Sequence, residues 1–180
     1  IFDLGNVIVS DAVIFYKNEL ADFTDVLKLA GVSRKTAEKI WKKHWPDLKY
    51  GRKEINVFWN EFEKEITTKV PIEKIKKAYE DKIIVDKEVL DFAHSLKSKY
   101  KILALANESK FGIRLKERKF NLKKTFDKIY CSADLGMAKP NLDIFEFVLK
   151  DANLKPGEII FIDNQIENVE AARSLGIKSI

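Results

Sequence analysis

The stretch Lys101-Ile102-Leu103-Ala104-Leu105-Ala106-Asn107 is a short apolar run that breaks off in a polar residue, and a helical period follows from Ser109 to Lys119. A buried strand handing over to a helix reads this way. Downstream the rhythm repeats: Lys128 to Cys131 reads as a strand, Leu142 to Ala152 as a helix, Ile159 to Ile162 as a strand, Glu167 to Leu175 as a helix, and Ile177 starts another strand. Alternation of this kind predicts a parallel sheet with helices on both faces, with ligands held beyond the carboxyl ends of the strands.

Upstream the pattern differs. Ile1-Phe2-Asp3-Leu4-Gly5-Asn6-Val7-Ile8-Val9 opens as an apolar strand that runs into a glycine turn, with Asp3 where the strand ends. From Asp11 to about Lys99 the periods are helical. Phe15, Leu20, Phe23, Val26, Leu27 and Leu29 recur at helical spacing and stop at Gly31; Ser33 caps a second stripe of Ala37, Ile40, Trp41 and Trp45 ahead of Pro46. Further helices are expected from Ile55 through Ile66 and after Pro71 through Tyr79. The expected architecture is an α/β fold, a Rossmann-like parallel sheet core of residues 1–10 and 100–180 with a helical cap of residues 11–99 inserted after the first strand.

Composition narrows the function classes. The 180 residues are 46% hydrophobic, enough for one core plus a small inserted module. No apolar run approaches the length of a membrane span, and no secretory leader pattern is present, so no membrane partner is expected. The chain starts at Ile1 without Met and stops at Ile180, and both ends read as cut inside apolar elements. One cysteine, Cys131, makes no internal disulfide, and with two histidines it gives no zinc spacing; a cytoplasmic setting is expected. The net charge of +5 rests on 33 cations, of which 28 are Lys and 5 Arg, scattered among 28 acids. Such a pattern is a solvated surface rather than the arginine and aromatic patch of a nucleic-acid reader, so no nucleic acid is expected.

Three strands finish in a polar residue: Asp3, Asn107 and Asp163. Each alone would be a turn former, but a parallel sheet would gather them at one edge. Two carboxylates facing one crevice repel unless protonated or bridged by a cation, and hard oxygen ligands suit magnesium.

Together these residues resemble the four motifs of the haloacid dehalogenase-like superfamily, over nearly the whole chain. Phe2-Asp3-Leu4-Gly5-Asn6-Val7 is similar to the first motif, Ala104-Leu105-Ala106-Asn107 to the second, and Asp134-Leu135-Gly136-Met137-Ala138-Lys139-Pro140 to the third. Phe161-Ile162-Asp163-Asn164 followed by Asn168-Val169-Glu170-Ala171-Ala172 is similar to the fourth. Tyr50-Gly51-Arg52-Lys53-Glu54-Ile55 with Phe58-Trp59 looks like the helical cap of many members. Asp-Leu-Gly-Asn-Val in the first motif is closest to the branch that includes alpha-D-glucose-1-phosphate phosphatase.

The resemblance implies a phosphatase for a small-molecule phosphate ester, with sugar phosphates as a substrate class, acting as a monomer or homodimer. It implies Asp3 as nucleophile, Lys139 as the balancing cation and Asn107 as a phosphate partner, with Mg2+ held by Asp3, the Gly5 carbonyl and Asp163. Three positions depart from the pattern: Gly5 replaces a general acid, Ala106 replaces a hydroxyl residue, and Asn164 replaces a second acid. Two alternatives stay open: a metal-free haloacid dehalogenase, and a catalytically degenerate binding or regulatory member. In the cap, Trp41 and Trp59 read as core rather than as sugar platforms, Arg52 and Lys53 are candidate pocket residues, and His44 and His94 have no evident partners.

Overall fold

The computed structural model describes residues 1–9 and 23–180; Phe15, Leu20 and the boundary expected at residue 10 lie outside the described residues. Among the described residues four strands form: β1 (Leu103–Ala106), β2 (Lys128–Cys131), β3 (Ile160–Phe161) and β4 (Lys178–Ser179). β1 and β2 pair in parallel, Leu103 opposite Lys128 and Ala106 opposite Cys131. β3 and β4 also pair in parallel, Ile160 opposite Lys178. Phe2 joins the two pairs, parallel to Ala104 on one side and to Ile162 on the other. The order across the sheet is therefore β2, β1, the opening strand, β3, β4. The opening strand is central, and the chain leaves it in both directions, which creates the crevice where open α/β sheets bind ligands.

β1 illustrates why these residues make a central strand. All four are buried. Leu103 and Leu105 face one hydrophobic cluster with Ile144, Phe145 and Val148, while Ala104 and Ala106 face another with Ile113, Leu115 and Phe126. The two-residue period sends successive side chains to opposite faces, and helices cover both. Those helices are α5 (Lys87–Ser95), α6 (Lys110–Phe120), the short α7 (Ser132–Leu135), α8 (Leu142–Ala152) and α9 (Ile166–Ser174), close to their expected bounds where bounds were expected. The Ser109 hydroxyl caps α6 by accepting from the Gly112 N–H at 3.0 Å.

The inserted helices are α1 (Thr24–Ala30), α2 (Arg34–Lys49), α3 (Asn56–Glu63) and α4 (Ile72–Lys82). Gly31 ends α1 in the left-handed region, φ 67°, as its position implies, and Ser33 caps α2. Aromatic rings fill the space between these helices: Trp41 stacks on Trp45 and meets Phe58 edge-on, and Trp59 meets Phe58, Phe62 and Tyr79 edge-on. Trp41 and Trp59 are buried core residues, as expected.

The apolar stripe that lies ahead of Pro46 belongs to a helix that continues through the proline, which lies inside α2. An internal proline forgoes one helical hydrogen bond, and here burial of Trp41, His44 and Leu48 on both sides of it holds the helix together. Contrary to the sequence reading, the histidines have partners: His44 Nε2 lies 2.8 Å from Glu61 Oε2, and His94 Nδ1 lies 3.5 Å from Thr125 Oγ1. Among the described residues no helix is long and apolar enough to cross a membrane.

Candidate active site at the carboxyl ends of the strands

The sheet register decides where Asp3 points. Phe2 N–H donates to the Leu103 carbonyl at 2.9 Å and Asp3 N–H donates to the Ile162 carbonyl at 2.8 Å, so the opening strand is held between β1 and β3 up to Asp3. The chain then folds back at once, with Ile8 and Val9 N–H groups donating to the Leu4 carbonyl at 3.0 and 2.8 Å. Gly5 begins that turn, and Asn6 adopts a left-handed φ of 55°. Asp163 occupies the matching place after β3.

Lys139 joins the two acids. Its Nζ lies 2.7 Å from Asp3 Oδ1 and 2.6 Å from Asp163 Oδ2. It also lies 5.4 Å from the centre of the Phe161 ring, an arrangement that favours a cation over the ring face. Asp3, Lys139 and Asp163 are 5%, 2% and 6% exposed, so the three charges interact with little solvent between them. Burial lifts the Asp3 carboxyl above the ordinary aspartate range, and the Asp163 charge pushes the same way; Lys139 and the Leu4 N–H oppose them.

Asn107 is brought to the same place, and both ends of its amide engage the main chain of Lys139. Its Nδ2 donates to the Lys139 carbonyl at 2.8 Å, and its Oδ1 accepts from the Lys139 N–H at 2.9 Å. The amide thus clamps the main chain that carries the lysine. Asp163 is clamped in turn: Asn168 Nδ2 donates to Oδ1 at 3.1 Å and to Oδ2 at 2.9 Å, and the Gln165 N–H donates to Oδ1 at 2.8 Å.

Asn168 was missed as a site residue by the sequence reading. Of the polar residues near Asp163, Asn164 and Glu167 are exposed and Asn168 is 2% exposed. Its placement in the first turn of α9, on the side of buried Val169 and Ala172, is the trace it leaves in the sequence. Arg52 and Lys53 are turned to Asp47, at 3.9 and 2.7 Å, with side chains 65% and 50% exposed.

Two carboxylates against one ammonium leave an excess negative charge in a buried crevice. A phosphate ester dianion would be repelled from it without a further cation. Among the described residues no group of three or more His, Cys, Asp and Glu side chains converges. Magnesium takes one or two carboxylates and keeps several waters, so the pair Asp3 and Asp163 with a main-chain oxygen fits it.

The sequence profile described as haloacid dehalogenase-like hydrolase matches residues 1–180. D-ribitol-5-phosphate phosphatase of Bacteroides thetaiotaomicron is 30% identical over 101 residues, covering 53% of this chain and 49% of that protein. Phosphorylated carbohydrates phosphatase of Thermotoga maritima is 32% identical over 95 residues, 52% of this chain and 43% of that protein. The chain spans about half or less of the length of these relatives. A crystal structure of an enzyme from Bacteroides thetaiotaomicron in complex with magnesium and inorganic phosphate superposes with a TM-score of 0.76, over 99% of this chain and 90% of that one, at 22% identity.

Proposed function

This chain belongs to the haloacid dehalogenase-like hydrolase family, and from that premise we propose that it is a magnesium-dependent phosphatase for a small phosphate monoester, with phosphorylated sugars or sugar alcohols as the class. The observation that carries the reading is the buried Lys139 ammonium set between Asp3 and Asp163 at the ends of parallel strands. The phosphatase names of the relatives and the magnesium and phosphate in the similar structure support it.

In this reading an Asp3 oxygen attacks phosphorus, forming an aspartyl-phosphate as the bond to the leaving oxygen breaks; water then cleaves the acyl phosphate and returns the carboxylate. Lys139 offsets the charge of Asp3 and of the phosphoryl oxygens, and Asn107 fixes that lysine through its main chain. Magnesium, when bound, neutralises phosphoryl oxygens as a Lewis acid; Asp3, the Gly5 carbonyl and Asp163 are the residues that would hold it. Gly5 has no proton to give, so the leaving oxygen of a sugar or sugar alcohol takes its proton from water, and aryl phosphates, whose leaving group needs none, should turn over faster. The cap is proposed as residues 11–99; its last part is tied to the core, since Val85 bridges Val9, Lys97 pairs with Asp127 at 3.0 Å and His94 meets Thr125. A reducing cytoplasm is the proposed setting, supported by the single cysteine, Cys131, which makes no internal disulfide.

Phosphate release from an aryl phosphate and a panel of sugar and sugar-alcohol phosphates, with and without magnesium, tests the proposal. Magnesium-dependent turnover lost in Asp3→Asn is the expected result. Halide release from 2-haloacids without metal, or no turnover by folded protein in saturating magnesium, would sink it.

A further inference from the structure

Ser132 stands at a crossing point that the strand-end acids and the lysine do not account for. It opens α7 and is 0% exposed. Its hydroxyl oxygen accepts from the Glu108 N–H at 3.0 Å. Its proton has two acceptors within reach, the Lys49 carbonyl at 2.7 Å and the Glu108 carbonyl at 3.3 Å. Lys49 is the last residue of α2 in the cap, and Glu108 directly follows Asn107, whose amide grips the main chain of Lys139. One hydroxyl therefore lies between the end of a cap helix and the loop that fixes the lysine.

The surrounding surface is fitted to the same joint. Gly51 has φ 67°, and a Cβ there would sit 2.0 Å from the Ala133 carbonyl, so the backbone after α2 lies against α7. Asn141 Nδ2 donates to the Tyr50 hydroxyl at 3.3 Å, two residues beyond Lys139. Residues 49, 50 and 51 thus bear on 132, 141 and 133 in turn.

We propose that Ser132 is a positioning residue that couples the docking of α2 to the placement of Asn107 and Lys139. A serine hydroxyl has one proton to give. With α2 docked, that proton goes to the Lys49 carbonyl, and the oxygen holds the Glu108 N–H. With α2 lifted, the Glu108 carbonyl is the acceptor left within reach, and the loop after β1 loses the geometry that the cap imposes. Small displacements of groups remote from the chemistry can lower turnover about 100-fold, so such a link would make turnover depend on the cap being seated. The catalytic readout rests on the phosphatase reading; the structural readout does not.

The test compares the full chain, Ser132→Ala and Ser132→Thr by amide hydrogen exchange and by steady-state kinetics with para-nitrophenyl phosphate and magnesium. In Ser132→Ala, exchange should rise together at residues 47–52 and 106–110 while β3 and β4 stay protected, and kcat should fall tenfold or more with KM within threefold. Ser132→Thr should restore both. Exchange rising at one segment alone or evenly over the sheet, or an unchanged kcat in an active enzyme, overturns the coupling and leaves the phosphatase reading intact. An inactive unsubstituted chain overturns the phosphatase reading, and the paired exchange response then decides the coupling. Should Ser132→Ala fail to fold, Gly51→Ala separates the joint from the cap side, and an unaltered exchange at 106–110 would equally overturn the proposal.

Discussion

Asp3 is held in a setting that works against stability. Its carboxylate and that of Asp163 share one lysine in a buried site, and burial raises its pKa above the ordinary 3.8. The folded protein therefore keeps a proton on Asp3 at pH values where the unfolded chain has released it. Between 3.8 and the folded pKa, unfolding releases that proton, so this group makes stability fall as pH rises. Asp3→Asn leaves Lys139 paired with Asp163 and removes the excess charge. Thermal unfolding at neutral pH should show a midpoint raised by roughly 2–4 °C, the response of a domain this size to about 1 kcal/mol. The gain should shrink as pH is lowered and vanish below 3.8. A midpoint that falls at neutral pH would mean that the lysine needs both acids.

The turn from β1 into α6 is the element on which the lysine's placement depends. Asn107 reaches Lys139, and the next residue, Glu108, is anchored from below: its Oε1 accepts from the Ser109 N–H at 2.7 Å, and its Oε2 lies 2.9 Å from Lys116 Nζ. Gly112 makes room for that carboxylate, because a Cβ there would meet Glu108 Oε1 at 2.3 Å. Lys116 is 2% exposed, so the pair is cut off from water. Removing one partner of a buried ion pair strands the other, at about 3–5 kcal/mol. Lys116→Met should lower the unfolding free energy measured by urea denaturation by about 3 kcal/mol, the low end of that range, since the Ser109 donors to Glu108 remain. Glu108→Gln added to it should recover part of the loss. Equal, additive losses from the two substitutions would show that the charges do not act as a pair.

For the whole molecule, the sheet order places both acids at one edge, with the opening strand between β1 and β3, and the end of α2 is joined to α7 beside that edge through the Ser132 hydroxyl. Charge at this edge sets the response to ligands. Magnesium that binds the folded state and not the unfolded one stabilises it by about 2.7 kcal/mol at 100 times its Kd. Calorimetric scans should therefore show a midpoint that climbs with magnesium, climbs further when inorganic phosphate is added with it, and does not respond to phosphate alone. Asp163→Asn should remove most of the magnesium response while leaving the protein folded. A phosphate response without magnesium would contradict the excess negative charge at the site.

The sequence by itself determined the alternation of strands and helices and the polar residues Asp3, Asn107 and Asp163 at the strand ends, because apolar runs, helical periods and cap residues are local properties of a chain. It also carried the place of Lys139 and the core nature of Trp41 and Trp59. Only the tertiary structure decided which polar atoms meet. Lys139 and Asp3 stand 136 positions apart in the chain, and no local pattern encodes a 2.7 Å contact across that separation. The phase of α9 selected Asn168, rather than Asn164 or Glu167, to hold Asp163. Packing likewise turned the Asn107 amide onto the lysine's main chain, carried α2 through Pro46, and set Ser132 between cap and core. Hydrophobic burial tolerates many arrangements and reads from pattern, whereas a hydrogen bond is satisfied only at a definite distance and angle, which the folded chain alone supplies.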